Sequence, residues 1–421
     1  MADSSSPLRN TSFLALLSSR FLAAIATQVQ AVAVGWHIYD IARDPMALGY
    51  VGLAVFIPMA LATLPAGDMV DRYSRRTMLA VGGTMQCITA ASMLALTLMN
   101  VQILWPYYAA LVFMGIGRAL GGPAYQALVP QIVPEAQLGR AVAMTSSAFQ
   151  SATIAGPAVG GLIYLAGPDI TFALCFAFYA VSVSVLALVR GPFPKPVITP
   201  GIGAVGRLVA GMNYVRSNPV VLGALSLDMM AVLLGGATAL LPIFARDVLH
   251  TGPEGLGMLR AAPAVGAVAV GLILGRWPLQ QRTGFYLFSC VGLFGLATIG
   301  FGLSGNFVFS LFCLLVMGAS DMISMYVRQT LVQLATPDAM RGRVSAVNVL
   351  FIGASNELGE FESGVTAAWF GVVPAAVLGG IGTIVVVGLW AWMFPALRTV
   401  DRLTDVKPVL PDEPDAVPQK A

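Results

Sequence analysis

Two carboxylates three residues apart, in a stretch otherwise rich in small and apolar side chains, are the chemically sharpest feature of this chain. They stand in Asn356-Glu357-Leu-Gly-Glu360-Phe-Glu362-Ser363. On a helix that spacing puts Glu357 and Glu360 on one face. A carboxylate in a low-dielectric setting gains from holding a proton, so one of this pair is suited to taking up and releasing protons. Asp228, alone in another apolar run, is a further candidate for proton or cation binding. The competing reading is structural: a salt bridge from these acids to Arg20 or Arg118, which is costly to bury unless it serves a use. Arg118 and Asp321 are also isolated charges in apolar surroundings, where an ionisable group costs roughly 3 kcal/mol or more unless paired or hydrated. Arg20, Gln28 and Asn356 complete the set as candidates for lining a substrate path. His37 sits beside Trp36 and Tyr39 with no second histidine near, since His250 lies far along the chain. An interfacial residue is the better reading there than a metal ligand. The chain shows no metal-binding cluster, no Gly-Lys-Ser phosphate loop and no catalytic triad, so ATP hydrolysis, a bound cofactor and enzymatic chemistry are not expected.

The elements that must carry these groups are long apolar helices. Of 421 residues, 57% are hydrophobic and only 10% charged, with a mean hydropathy of +0.81. A soluble domain of this size needs far more charged surface. Runs of roughly 18 or more apolar residues are membrane-helix candidates. They fall near 13–40, 47–66, 77–99, 104–125, 141–166 and 170–189, then 219–245, 254–275, 283–303, 307–328, 343–369 and 371–394. The expected fold is all-α and integral to a membrane, with about twelve transmembrane helices in two six-helix bundles. The first bundle takes residues 1–189 and the second 219–394. A polar, Pro-rich linker at 190–218 joins them, and the Asp- and Pro-rich 395–421 reads as a disordered tail. All four cysteines, Cys87, Cys175, Cys290 and Cys313, lie inside apolar runs, so buried small side chains rather than disulfides are expected.

Basic residues orient the helices. One side collects Arg9, Arg72, Arg75, Arg76, Arg140, Arg190, Arg207, Arg216, Arg276, Arg282, Arg341, Arg343 and the basic tail, while the opposite loops hold only Arg43 and Arg246. The positive-inside bias makes both termini cytoplasmic. The halves also repeat. Gln126-Ala-Leu-Val, Pro134-Glu135 and Gly139-Arg140 recur at one fixed offset as Gln329-Thr-Leu-Val, Pro337-Asp338 and Gly342-Arg343. Ala42-Arg43-Asp44 recurs in the same register as Ala245-Arg246-Asp247. At this offset Arg118 corresponds to Asp321, two opposite charges at equivalent sites, which points to the central cavity. Repeats of equal orientation place a substrate path between the halves.

Three motifs carry a family resemblance. The loop Gly67-Asp-Met-Val-Asp71-Arg72-Tyr-Ser-Arg75-Arg76-Thr-Met-Leu79 closely resembles the signature G-x-L-a-D-R-x-G-R-K-x-x-L of the major facilitator superfamily, with Met69, Ser74 and Arg76 as departures. Gly156-Pro157-Ala-Val-Gly160-Gly161 resembles its G-P-x-x-G-G element, associated with antiporters and exporters. Arg118 with Gly122 resembles its R-x-x-x-G element, linked there to proton transfer. The stretches 123–140 and 341–348 look most like bacterial exporters of the enterobactin-exporter type.

The resemblance implies alternating access by rocking of two bundles, with Gly67, Asp71, Arg72, Arg75 and Arg76 forming a cytoplasmic latch between them. It implies export of a drug, siderophore or other amphipathic small molecule by proton antiport, from a bacterial cytoplasmic membrane. The implied partners are the substrate, protons and the lipid bilayer, with no nucleic acid and the chain acting as a monomer. A cavity mixing Met, Phe, Trp and a few carboxylates would suit an amphipathic or cationic solute. A lipid or lysolipid transporter of the same fold, and a membrane sensor or channel that moves no solute, are the alternatives.

Overall fold

The computed structural model describes residues 7–191, 204–277, 279 and 281–402. Among these there is no strand. The first bundle contains α1 (Thr11–Ala42), α2 (Pro45–Arg72), α3 (Arg75–Leu98), α4 (Trp105–Ile132), α5 (Glu135–Tyr164) and α6 (Pro168–Leu186). Then come α7 (Ala204–Ser217), α8 (Pro219–Leu234), the single turn α9 (Leu241–Ile243), α10 (Pro253–Arg276) and α11 (Thr283–Gly302). The chain goes on through α12 (Phe307–Ala335), α13 (Asp338–Phe370), α14 (Val372–Met393) and the short α15 (Pro395–Arg398).

Helix starts follow local chemistry. The Asn10 side chain accepts from the backbone N–H of Ser12 and Phe13, Asp44 from Met46, Asn218 from Val220 and Val221, and Asn306 from Phe309. Each satisfies donors that the first helical turn leaves open. Pro45, Pro219 and Pro253 occupy first positions, where proline's missing N–H costs nothing.

Nine described segments are long and apolar enough to cross a membrane. Helices α4, α5 and α13 are as long but carry more polar residues, several of which face the interior described below. With Pro219–Val248 counted as one span, the twelve crossings form two six-helix bundles. In each, the equivalent helices pack alike: α3 on α4 and α6 in the first, α11 on α12 and α14 in the second. Glu135 and Asp338, which open α5 and α13, stand at the same offset as Gln126 and Gln329.

Three segments differ from the sequence expectation. The span expected as one helix over 219–245 is broken after Leu234. It continues as a 3-10 turn at Ala237–Leu240, the single turn α9, and a wide turn at Phe244–Val248. Gly235 and Gly236 make the break: Gly235 packs against Phe294 of α11 and Thr383 of α14, and Gly236 presses on α13, where a Cβ would lie 2.8 Å from the Gly359 carbonyl oxygen. Irregular backbone is tolerated inside a membrane when protein covers it in this way. Within the expected linker, 190–218, the described residues 204–217 form a helix. Its Tyr214 and Val215 are buried against Val221, Leu225, Val332 and Val344. Of the expected tail, 395–402 is docked: the N–H of Thr283 donates to the Asp401 carbonyl at 3.0 Å. Residues 403–421 lie outside the described residues.

The bundles touch each other mainly through α2 on α13 and α5 on α10. A single apolar core, with Val34, Ile38, Leu48, Phe244 and Leu256, joins them at the end holding the α1–α2 turn. At the other end the cores are separate, one around Phe13, Leu128 and Val133 and one around Tyr214 and Val332. The molecule is thus closed at one end and parted at the end that carries the Arg-rich loops.

Candidate functional site: a central cavity with two carboxylates and three arginines

Between the bundles lies a cavity of about 510 Å³. Its polar lining includes Arg20, Gln28 and Gln30 from α1, Arg118 from α4, Arg260 from α10, and Glu357 and Glu360 from α13. Leu48, Val55, Leu111 and Met114 supply apolar wall. A few convergent polar groups in a mostly apolar pocket is the usual build of a small-molecule site.

Glu357 and Glu360 share the inward face of α13, as their spacing requires. The Nη1 of Arg118 donates to the Oε1 of Glu357 at 2.9 Å. Arg118 belongs to the first bundle and Glu357 to the second, so this ion pair spans the gap between them. Glu357 is buried, while the Arg118 side chain is 40% exposed to the open cavity. Glu360 lies close enough to feel the charges of Glu357, Arg260 and Arg118. Helix α2 approaches here without a side chain: a Cβ on Gly52 would lie 2.9 Å from the Glu357 carbonyl oxygen and 3.1 Å from the Glu360 Cβ.

Other expected site residues lie elsewhere. Asn356, one step round α13 from Glu357, is exposed and does not line the cavity. Asp228 and Asp321 are not in the central cavity. They line a small pocket inside the second bundle with Ser320 and Ser324, and Arg328 pairs with Asp228 there. The correspondence of Arg118 with Asp321 holds in sequence, but the two side chains enter different spaces. His37 is half-buried within the first bundle rather than at a surface, with Nδ1 3.1 Å from the Tyr164 hydroxyl and Nε2 3.2 Å from that of Tyr107. Among the described residues no three of His, Cys, Asp and Glu are grouped as for a metal, and all four cysteines are free thiols.

Arg260 and Arg328 went unread in the sequence. The signal was available, because each is a lone arginine in an apolar span, where a charge by default marks a function or a buried partner. Tyr125 and Phe149 carry no such mark; only the packing of α4 and α5 against α1 brings them to Arg20.

The closed end is sealed by close backbone contact. Within the first bundle, Gly156 and Gly160 of α5 meet Gln28 and Val29 of α1, a Cβ on Gly160 falling 2.9 Å from the Val29 Cα, which fixes α5 for the contacts that cross between bundles. Gly161 meets Pro253 and Gly257 of α10, and Gly49 of α2 meets Gly364 of α13. Polar groups cross the seal as well. Arg246 donates to Asp40 at 2.5 Å and lies 5.5 Å over the Trp36 ring, and Tyr39 donates to Asp247. At the parted end, Arg75 and Arg76 reach carbonyls of their own bundle, those of Ala127 at 3.5 Å and Ala187 at 3.2 Å. Of the expected latch, the surroundings of Gly67 and the side chains of Asp71 and Arg72 lie outside what is described.

This two-bundle cavity architecture coincides with what comparison shows. The transmembrane secretion effector family of the major facilitator superfamily matches residues 2–416. The chain belongs to that family. It is 25% identical over 396 residues to the uncharacterized MFS-type transporter YfiS of Bacillus subtilis (strain 168), covering 89% of this chain and 92% of that protein. It is 25% identical over 378 residues to the enterobactin exporter EntS of Citrobacter koseri, covering 90% of each. Among solved structures it is similar to a bacterial homologue of the human lysosomal transporter Spinster in an inward-facing, unoccupied conformation. That match has a TM-score of 0.70 and 14% identity, over 94% of this chain and 97% of that one. The protein is therefore a multi-pass membrane transporter of the major facilitator superfamily.

Proposed function

We propose that the protein is a secondary active exporter of a small amphipathic molecule, driven by proton antiport through Glu357 and Glu360. The observation that carries this reading is the Arg118–Glu357 pair, an intramembrane ion pair between the two moving bodies. A proton on Glu357 removes the charge that holds Arg118, so protonation acts directly on the contact between the bundles. Glu360, next on the same face and beside Arg260, is placed to pass that proton on or to receive it.

The parted end faces the cytoplasm, because it bears the Arg-rich loops. The described state is then the one that loads from inside, as an exporter must, and both termini are cytoplasmic. Similarity to an enterobactin exporter supports the outward direction. One chain contains both bundles and the whole cavity, so a monomer is a complete working unit. The bacterial cytoplasmic membrane is its expected location.

The test is efflux of a dye and drug panel from a pump-deficient bacterial host. Wild type is compared with Glu357→Gln, Glu360→Gln and the double variant at matched expression, each with and without a protonophore. Expulsion by wild type that is lost with the double variant and with the protonophore bears the reading out. Protonophore-sensitive efflux that survives the double variant would overturn the role of these two residues and move coupling to Asp228 and Asp321.

A further inference from the structure

We propose that Arg20 is an anion-binding subsite and that the substrate is an organic anion with an aromatic or otherwise flat body. The inference rests on the transport reading above and names the substrate class of the same cavity. The charge inventory runs against a cationic solute. Three arginines and two glutamates line the cavity, so its lining carries a net positive charge even with both acids ionised. Arg118 is taken by Glu357, and Arg260 has the charge of Glu360 beside it. Arg20 has no carboxylate partner among the described residues.

The aromatic surroundings of Arg20 define what it can bind. Its guanidinium carbon lies 4.7 Å from the Tyr125 ring centroid and 4.8 Å from that of Phe149. Two rings from α4 and α5 therefore lie within cation–π range of the guanidinium. Cation–π contact takes up none of the guanidinium N–H groups in a hydrogen bond, which leaves its planar fork for an acceptor such as a carboxylate, recognised by two parallel hydrogen bonds. The same rings offer a stacking surface to the body of the ligand.

A second, independent feature points into the same cavity. The Gln30 side chain is 1% exposed, lines the cavity, and has neither amide oxygen nor nitrogen hydrogen-bonded. A buried amide left open costs free energy that a bound polar group would recover. Arg20 lies nearer the parted end of α1 than Gln28 and Gln30, about 12 Å along the helix axis from Gln28. An anion that enters from the open end meets Arg20 first. Its body then reaches the apolar wall at Val55 and Met114, and its far polar groups meet Gln28 and Gln30.

The test is binding to the purified full-length protein in detergent, by calorimetry, of three probes of one shape: 1-naphthoate, neutral 1-naphthamide and cationic 1-naphthylmethylammonium. Wild type should prefer naphthoate over both others by about tenfold or more. Arg20→Gln should abolish that preference, and Arg20→Lys should keep the sign of charge but weaken naphthoate binding, since an ammonium cannot offer the planar fork. Thermal unfolding of each variant reports whether it is folded, and the Lys variant keeps the test valid should Gln fail to fold. No naphthoate binding at about millimolar concentration, equal binding of the amide or ammonium, or full preference in Arg20→Gln would each overturn the proposal. Sulfate competing with naphthoate as well as naphthoate itself would also overturn it, by showing a site for a small inorganic ion. Because the assay needs no flux, its outcome is separate from that of the efflux test. Efflux of cations alone by wild type would sink the anion subsite and leave the exporter reading standing.

Discussion

Filling the glycine seam at the closed end should open it, and Gly257 is the position at which the size of the effect is clearest. A Cβ built there would stand 2.5 Å from the Pro157 carbonyl oxygen and 3.2 Å from the Cα atoms of both Ala158 and Gly161. Carbon atoms at rest sit about 3.5–4.0 Å apart, so even Gly257→Ala must push α5 from α10 by a few tenths of an ångström. Gly257→Val adds two methyl groups where backbone faces backbone and nothing can fold away. Overpacking of this kind costs about 1–3 kcal/mol. In a two-state equilibrium that energy shifts the open-to-closed ratio about 5–150-fold. The cost falls on the state closed at this end alone, since the seam parts in the alternative state. Spin labels at Gln102→Cys and Gly305→Cys, exposed sites on the equivalent end loops of the two bundles, would report the change in a cysteine-free background. The expected result is a longer inter-label distance that is minor in wild type, larger in Gly257→Ala and dominant in Gly257→Val. Gly292→Ala, where a Cβ meets nothing within 4 Å, should leave the distribution unchanged. A Gly257→Val protein that folds and keeps the wild-type distribution would show that the seam does not set the equilibrium.

Three further outcomes are expected. Asp228→Asn should lower stability by about 3–5 kcal/mol by leaving Arg328 buried without its partner, whereas Asp228→Leu with Arg328→Met should recover most of the loss; thermal unfolding followed by size-exclusion chromatography reads both. Asp40→Asn removes an exposed partner of Arg246 and should cost no more than about 1 kcal/mol, an effect that shrinks further in high salt; the same spin labels measure it. Gly52→Val should drive α2 against Glu360 and cut efflux at least as severely as Glu360→Gln, which the dye assay checks at matched expression.

Much of this architecture was legible because the membrane imposes it. Apolar run length located the helices, and the fixed offset between repeats paired α4 with α12 and α5 with α13. Charge placement also pointed to Glu357 and Glu360, since spacing on a helix is a property of the sequence alone. What escaped depends on rotation and contact between helices. Asn356 is adjacent to Glu357, yet one residue's turn is enough to carry it off the cavity face. Asp321 matches Arg118 by register, but it enters a pocket closed by α8 and α11, and no repeat reveals which side of a helix its neighbours cover. The break at Gly235-Gly236 was masked by hydropathy, because two near-neutral glycines hardly lower the average of a long Ala- and Leu-rich run. The expected suitability for an amphipathic or cationic solute rested on Met, Phe, Trp and a few carboxylates; the arginines that outnumber those carboxylates in the cavity come from α1, α4 and α10, and only folding assembles the sum.

The two seams between the bundles have a consequence for the surrounding bilayer. Helices α2 and α13, and likewise α5 and α10, meet between the bundles and also carry exposed apolar side chains, among them Leu61, Val349, Leu162 and Leu272. When either seam parts, the crevice left behind is lined by glycine backbone with little side-chain relief, and acyl chains rather than water are the nearest filler. The opening step then includes the work of rearranging lipid tails around a groove. Chain length, unsaturation and lateral pressure become part of the conformational equilibrium, and the same protein would cycle at different rates in membranes of different fluidity.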